Sequence, residues 1–195
     1  MENPYRYYKV ADCAKLEFHN NARPVCLRIK VAKRPEEVDL WLKEQRPSVL
    51  GLDIEWKPFS KTGKQNKASL LQLSSNDDVL LIQLFQISIS NGLRDVLGDE
   101  CIKKVGVGIA ADALKMLEDW GVVINGLVNL GQGKSLAKVA FAATEIRLSK
   151  LKKICLSNWE NRTLTNAQII YAALDAWVAS ESFAVMSRMI LSEIQ

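Results

Sequence analysis

The chain has 195 residues, 48% of them hydrophobic and 25% charged, with a formal net charge of +4 and an isoelectric point near 8.8. That composition suits one well-buried globular domain and excludes disordered, collagen-like and disulfide-stapled classes. The basic excess is compatible with a polyanionic partner and too small to argue for one.

Cys13, Cys26, Cys101 and Cys155 are widely scattered, form no CxxC pair and have only His19 to help them, so reduced thiols are expected rather than a zinc site. The start, Met1 to Tyr7, lacks the apolar core of a signal peptide, and Glu2 and Asp12 argue against a mitochondrial presequence. With no apolar run judged to approach membrane-spanning length, the expected address is nucleus or cytoplasm, with no membrane partner. Asn161-Arg162-Thr163 fits a glycosylation sequon and is read as an unmodified surface loop.

In chain order, residues 1–24 show no clear period and are expected to be a lead-in or edge element before a single domain at 25–195. Val25 to Val31 alternates and predicts a strand; Pro35 opens a short amphipathic helix ending near Arg46-Pro47. The strongest pattern follows at about 48–56. There Leu50, Leu52, Ile54 and Trp56 fall on one face of a strand, and Asp53 and Glu55 fall together on the other. Lys57 to Lys67 predicts a polar hairpin loop, and Ser69–Leu73 and Val79–Ile82 predict strands joined by a turn at Ser75–Asp78. A helix at 91–98, a strand at Lys104–Gly108 and a helix from about Ala110 to Trp120 come next. Val122 to Leu130 predicts a last strand, and Lys134 to Ala143 a helix. Thr144 to Arg162 is basic and without clear period. Thr165 is expected to cap the longest helix, with Ile169, Ala173, Ala176, Ser180, Phe183 and Ile190 as its buried stripe. Early strands in meander, followed by strands alternating with helices, predict a mixed α/β sheet with no internal repeat.

Two carboxylates sharing a face near a core repel each other and lose hydration unless a cation lies between them. That makes Asp53 and Glu55 candidate metal ligands. Asp112 follows Val105-Gly106-Val107-Gly108 where a strand hands over to a helix, a usual place for ligands in open α/β sheets. The GxG there lacks the third glycine of a dinucleotide fingerprint. Tyr171 and Asp175 lie four apart in the last helix, hence on one side of it.

Together these stretches resemble the DEDD family of 3′–5′ exonucleases, the DnaQ-like group on a ribonuclease-H-like fold. Leu52-Asp53-Ile54-Glu55-Trp56 resembles the first motif, Lys104 to Asp112 the second, and Tyr171-Ala172-Ala173-Leu174-Asp175-Ala176 the third. The YxxxD form is that of the DEDDy branch; the sister branch uses a histidine, and His19 is nowhere near. With Leu70-Leu71-Gln72-Leu73, Ser157-Asn158-Trp159 and Leu164-Thr165, the chain most resembles the exonuclease domain of the Werner syndrome helicase and its stand-alone relatives, over about residues 25–190.

The resemblance implies a mixed sheet flanked by helices. It also implies two Mg²⁺ or Mn²⁺ ions held by Asp53, Glu55, Asp112 and Asp175, with Tyr171 orienting the attacking water. The product would be nucleoside 5′-monophosphates from the 3′ end of DNA or RNA. Trp56 is a candidate for the terminal base, although its face of the strand favours the core. Lys57, Lys61, Lys64, Lys67, Arg147, Lys150, Lys152 and Lys153 are candidates to follow phosphates. The alternative is a nuclease-like module that binds nucleic acid or a protein without cutting. Two departures from the family pattern stand out. Asn129-Leu130 replaces an Asp-Leu pair, and the interval from Asp112 to Tyr171 is shorter by roughly ten residues, two to three helical turns.

Overall fold

The alternating run at Val49–Trp56 lies inside a seven-stranded sheet. The structure is a computed structural model that describes residues 6–9, 16–18, 26–58, 65–148 and 151–194, with side chains described for 26–58, 65–148 and 151–192. The elements are β1 (Arg6–Lys9), β2 (Leu16–Phe18), β3 (Cys26–Ala32), α1 (Pro35–Gln45), β4 (Val49–Trp56), β5 (Ala68–Ser75), β6 (Asp78–Gln83) and α2 (Asn91–Gly98). They continue with β7 (Lys103–Gly106), α3 (Ile109–Trp120), β8 (Leu127–Asn129), α4 (Leu136–Thr144), β9 (Ile146–Leu148), α5 (Lys152–Cys155) and α6 (Asn166–Ile194). The sheet order is β1-β3-β6-β5-β4-β7-β8. β4 runs antiparallel to β5 and parallel to β7, and β5 runs antiparallel to β6. This is the mixed sheet expected from the sequence.

Alternation divides the core into two layers. On one face, Leu50, Leu52 and Ile54 of β4 and Leu71 and Leu73 of β5 pack against Val38, Trp41, Leu93, Leu97, Ile109 and Met116 of α1, α2 and α3. On the other, Leu70 of β5 and Val79 and Leu81 of β6 meet Ala172, Ala173, Leu174, Trp177 and Val178 of α6. The acidic face of β4 therefore looks at α6.

How closely they approach is set by Gly51, which shares the face of Asp53 and Glu55. A Cβ there would lie 2.0 Å from the carbonyl oxygen of Ala176. Only a residue without a side chain lets the strand and helix come this near. The helix start is fixed by a reciprocal cap. The Gln168 amide donates to Thr165 Oγ1 at 3.2 Å, and Gln168 Oε1 accepts from the Thr165 amide at 3.0 Å.

The structure departs from the sequence expectations in three places. Val122 to Leu130 is not one strand: only Leu127–Asn129 pairs with β7. Upstream, the Asn125 amide donates to Leu97 O and its side chain to Gly98 O, and Gly126 turns at a φ of 66°. Val122 and Ile124 are buried as connection rather than as sheet. Ile190 is 59% exposed, because α6 runs on past the sheet that covers its earlier turns. Finally, α6 is long and apolar enough by composition to cross a membrane, with a mean hydropathy of 1.3 over an 18-residue window within Asn166–Ser192, so an apolar run of that length does exist. Its middle, Ala172 to Ala179, is buried within the domain, as in a core helix.

The basic stretch without period resolves into small pieces. α4 ends on Glu145, which takes a left-handed conformation at a φ of 59°. The chain then turns at once into β9, which pairs antiparallel with β2. Among the described residues β9 follows α4 directly, with no further helix between them.

Candidate active site

The site forms where the C-terminal half of β4 passes under the first turns of α6. Asp53 and Glu55 project from β4 and Asp175 from α6, and these three offer oxygens that all lie within 4.8 Å of one another. Glu55 is 9% exposed and Asp175 is 8% exposed. Asp53 is half-buried. Three carboxylates this close, two of them nearly out of water, repel one another, and oxygen-only donors in that arrangement fit a hard divalent cation. The charge therefore has a purpose that fold stability does not supply.

The three line a cavity of about 460 Å³ together with Asp112 and Tyr171. Asp112 stands in the first turn of α3, which begins immediately after Gly108 in the left-handed region at a φ of 77°. Asp112 is not within the close group of three but lines the same cavity. Burial raises its pKa to about 7. Tyr171 lies one turn before Asp175 on α6, half-buried, with its ring 6.0 Å from that of Trp159. Burial first, then the negative charges of Asp175 and Glu55, raise the pKa of its hydroxyl, as does the neighbouring Cys155. The phenol stays protonated and can only donate or orient; it cannot serve as a base near neutral pH.

The cavity is also lined by residues with no signal in the sequence: Ser135, Leu136 and Ala137 at the start of α4, Leu148 of β9, and Cys155 and Leu156 at the end of α5. Their role depends on how the short interval folds back, which no local pattern announces. Asn129, the departure from the family's acid, has a defined task. Its Oδ1 accepts from the amides of Gly108 at 3.1 Å and Gly131 at 3.5 Å, tying β8 to the residue that starts the Asp112 helix.

Trp56 is half-buried, packs against the first core layer and also lines the cavity; Lys115 Nζ sits 5.0 Å from its ring centre. Lys57 pairs with Glu160 at 3.5 Å, Lys67 donates to Asp119 O at 3.0 Å, and the Arg147 guanidinium lies 4.7 Å from the Phe141 ring centre. Lys152 and Lys153 are exposed on α5. None of these five basic residues lines the cavity. Lys61, Lys64 and Lys150 lie outside the described residues, as does Cys13; Cys26, Cys101 and Cys155 are free thiols.

Comparison with known proteins follows the same lines. A family model described as 3′-5′ exonuclease matches residues 29–191. Exonuclease 3′-5′ domain-containing protein 2 of Homo sapiens is 35% identical over 153 residues, covering 69% of this chain and 24% of that protein. The bifunctional 3′-5′ exonuclease/ATP-dependent helicase WRN of Mus musculus is 33% identical over 151 residues, covering 71% of this chain and 11% of that protein. The chain thus spans about a quarter and a tenth of the lengths of these relatives. The crystal structure of the Aedes aegypti Nibbler EXO domain superposes with a TM-score of 0.74 at 21% identity, covering 86% of this chain and 90% of that one. At that identity the likeness speaks for the fold.

Proposed function

The chain belongs to the 3′-5′ exonuclease family, and on that premise we propose that it is a metal-dependent hydrolase that removes nucleoside 5′-monophosphates from the 3′ end of DNA or RNA. The observation that carries this reading is the close group of three carboxylates, the half-buried Asp53 with Glu55 and Asp175, facing a cavity shared with Asp112 and Tyr171.

In this reading Asp53, Glu55, Asp112 and Asp175 hold two Mg²⁺ or Mn²⁺ ions. Such ions supply Lewis acidity at the scissile phosphate and lower the pKa of bound water. The chain's own residues do the rest. Asp53 and Glu55 come from a stretch of β4 paired to β5, just past the residues Val49–Gly51 that also pair with β7, and Asp175 comes from a helix held against the strand by the Gly51 contact, so the ligands are set before substrate arrives. Tyr171, kept protonated, donates a hydrogen bond that orients the attacking water toward phosphorus. Leu136, Leu148 and Leu156 give the cavity an apolar side, and its volume leaves room for a terminal nucleoside. Asn129 holds the start of α3 and through it Asp112. Exposed cations such as Lys152 and Lys153 would meet the strand outside the cavity.

The test is the identity of the product. Purified protein is incubated with a single-stranded oligonucleotide and Mg²⁺ or Mn²⁺, and the released material is separated by chromatography. Nucleoside 5′-monophosphates that disappear with EDTA support the reading. Nucleoside 3′-monophosphates, or binding of the strand with no release in either metal, would contradict it.

A further inference from the structure

Gln72 is fully buried, and neither its Nε2 nor its Oε1 has a hydrogen-bond partner. Among the described residues no other side chain has both ends of an amide stranded in this way. It stands on β5 directly opposite Asp53 in the antiparallel register, which puts the two Cβ atoms roughly 4.5–5.5 Å apart on one face. That face is the one covered by α6. Two residues on, Ser74 bonds Ser180 of α6 at 3.1 Å, and two residues back, Leu70 packs in the α6 layer. The site cavity is lined by its cross-strand partner Asp53 and by Glu55, two pairs along.

We propose that Gln72 is a positioning residue for Asp53: its Nε2–H donates to the Asp53 carboxylate when that group is drawn onto a cation. The proposal rests on the metal-dependent reading given above. A leucine or methionine would fill the same space without burying an amide that lacks a partner. The donor is also of the right kind. A carboxylate that ligates a cation through one oxygen keeps lone pairs on the other, and a neutral N–H fixes it without bringing a competing positive charge. A lysine at this place would repel the ion.

Binding of Mn²⁺ alone to EDTA-stripped protein, followed by calorimetry, tests this without reference to activity. The proteins are the wild type, Gln72→Met, Gln72→Leu and Asp53→Asn, each also melted in the absence of metal. Gln72→Met should melt without metal at or above the wild-type temperature, yet bind Mn²⁺ about 10–100-fold more weakly. It should also lower kcat with KM for the strand unchanged. Gln72→Leu serves in the same way if methionine packs poorly. Mn²⁺ affinity in both variants within twofold of wild type overturns the proposal and makes Gln72 an ordinary core residue. A wild type that takes up no Mn²⁺, with Asp53→Asn indistinguishable from it, overturns the metal-dependent premise instead.

Discussion

Replacing Gly51 by alanine should damage stability and activity together, because the same contact governs both. The added Cβ would meet Ala176 O at 2.0 Å, Ala176 C at 3.0 Å and Ser180 Cβ at 3.1 Å. The first two are helix backbone, which cannot swing aside as a side-chain tip can. Restoring an ordinary contact needs α6 to move from β4 by more than about 1 Å, beyond what a well-packed interior gives freely. Overpacking of this kind costs about 3 kcal/mol, the upper end of the usual range. In a domain of this size that lowers the melting temperature by about 6–12 °C. Gly51 precedes Asp53 by two residues and Ala176 follows Asp175 directly, so the displacement opens the carboxylate group itself. A misplacement of about 1 Å costs roughly 10²-fold in rate. The assay is circular-dichroism melting beside single-turnover cleavage of a 5′-labelled strand. Ala176→Gly should fail to rescue the variant, since the clash is with backbone. A Gly51→Ala protein that melts and cleaves like the wild type would refute the reasoning.

Three further outcomes are expected. Tyr171→Phe should lower kcat by roughly 10²-fold while Mn²⁺ affinity, measured by calorimetry, stays near wild type, because the phenol is assigned to water and not to metal. Asn129→Ala should lose the acceptor for the Gly108 and Gly131 amides and destabilise the protein by about 1 kcal/mol in denaturant titration; Asn129→Asp, which keeps an oxygen to accept from both amides, should not. Asp112 predicts a pH dependence. Its folded pKa, raised by burial to about 7 from an ordinary 3.8, means that the folded chain holds a proton the unfolded chain has released. This group's contribution to stability is full below about pH 4 and is lost as pH rises through 7. Asp112→Asn should therefore raise the metal-free melting temperature at pH 8 and leave it unchanged at pH 4. Mn²⁺ binding by the wild type should weaken below pH 7, where that proton must be displaced.

What the sequence discloses follows from the range of its signals. Asp53 and Glu55 are legible because alternation along a strand has a fixed period and two acids on one face stand against it. Tyr171 and Asp175 are legible because four residues make one helical turn, and Thr165 because a capping box lies within four positions. Where a feature depends on a distant partner, the local pattern falls silent. Three residues pair in β8 and in β9, too few to show a period. Ile190 keeps the apolar rhythm of α6 beyond the point where the sheet stops covering it. Gln72 reads as an ordinary polar residue in a strand; its complete burial becomes visible only when α6 is laid over that face. The cavity wall from Ser135 to Leu156 is of the same kind, since it is assembled by the path of a short connection.

The central claim is that the acidic group facing α6 cuts nucleic acid from its 3′ end. The most direct measurement is cleavage of a 5′-labelled single strand, DNA and RNA in parallel, by the wild type and Asp175→Asn in Mg²⁺, Mn²⁺ and EDTA. The structure predicts a ladder shortening from the 3′ end in the wild type with metal, absent with EDTA and absent in Asp175→Asn even though that variant remains folded. A ladder of equal strength in Asp175→Asn, or strand binding by the wild type with no ladder in either metal, would contradict it.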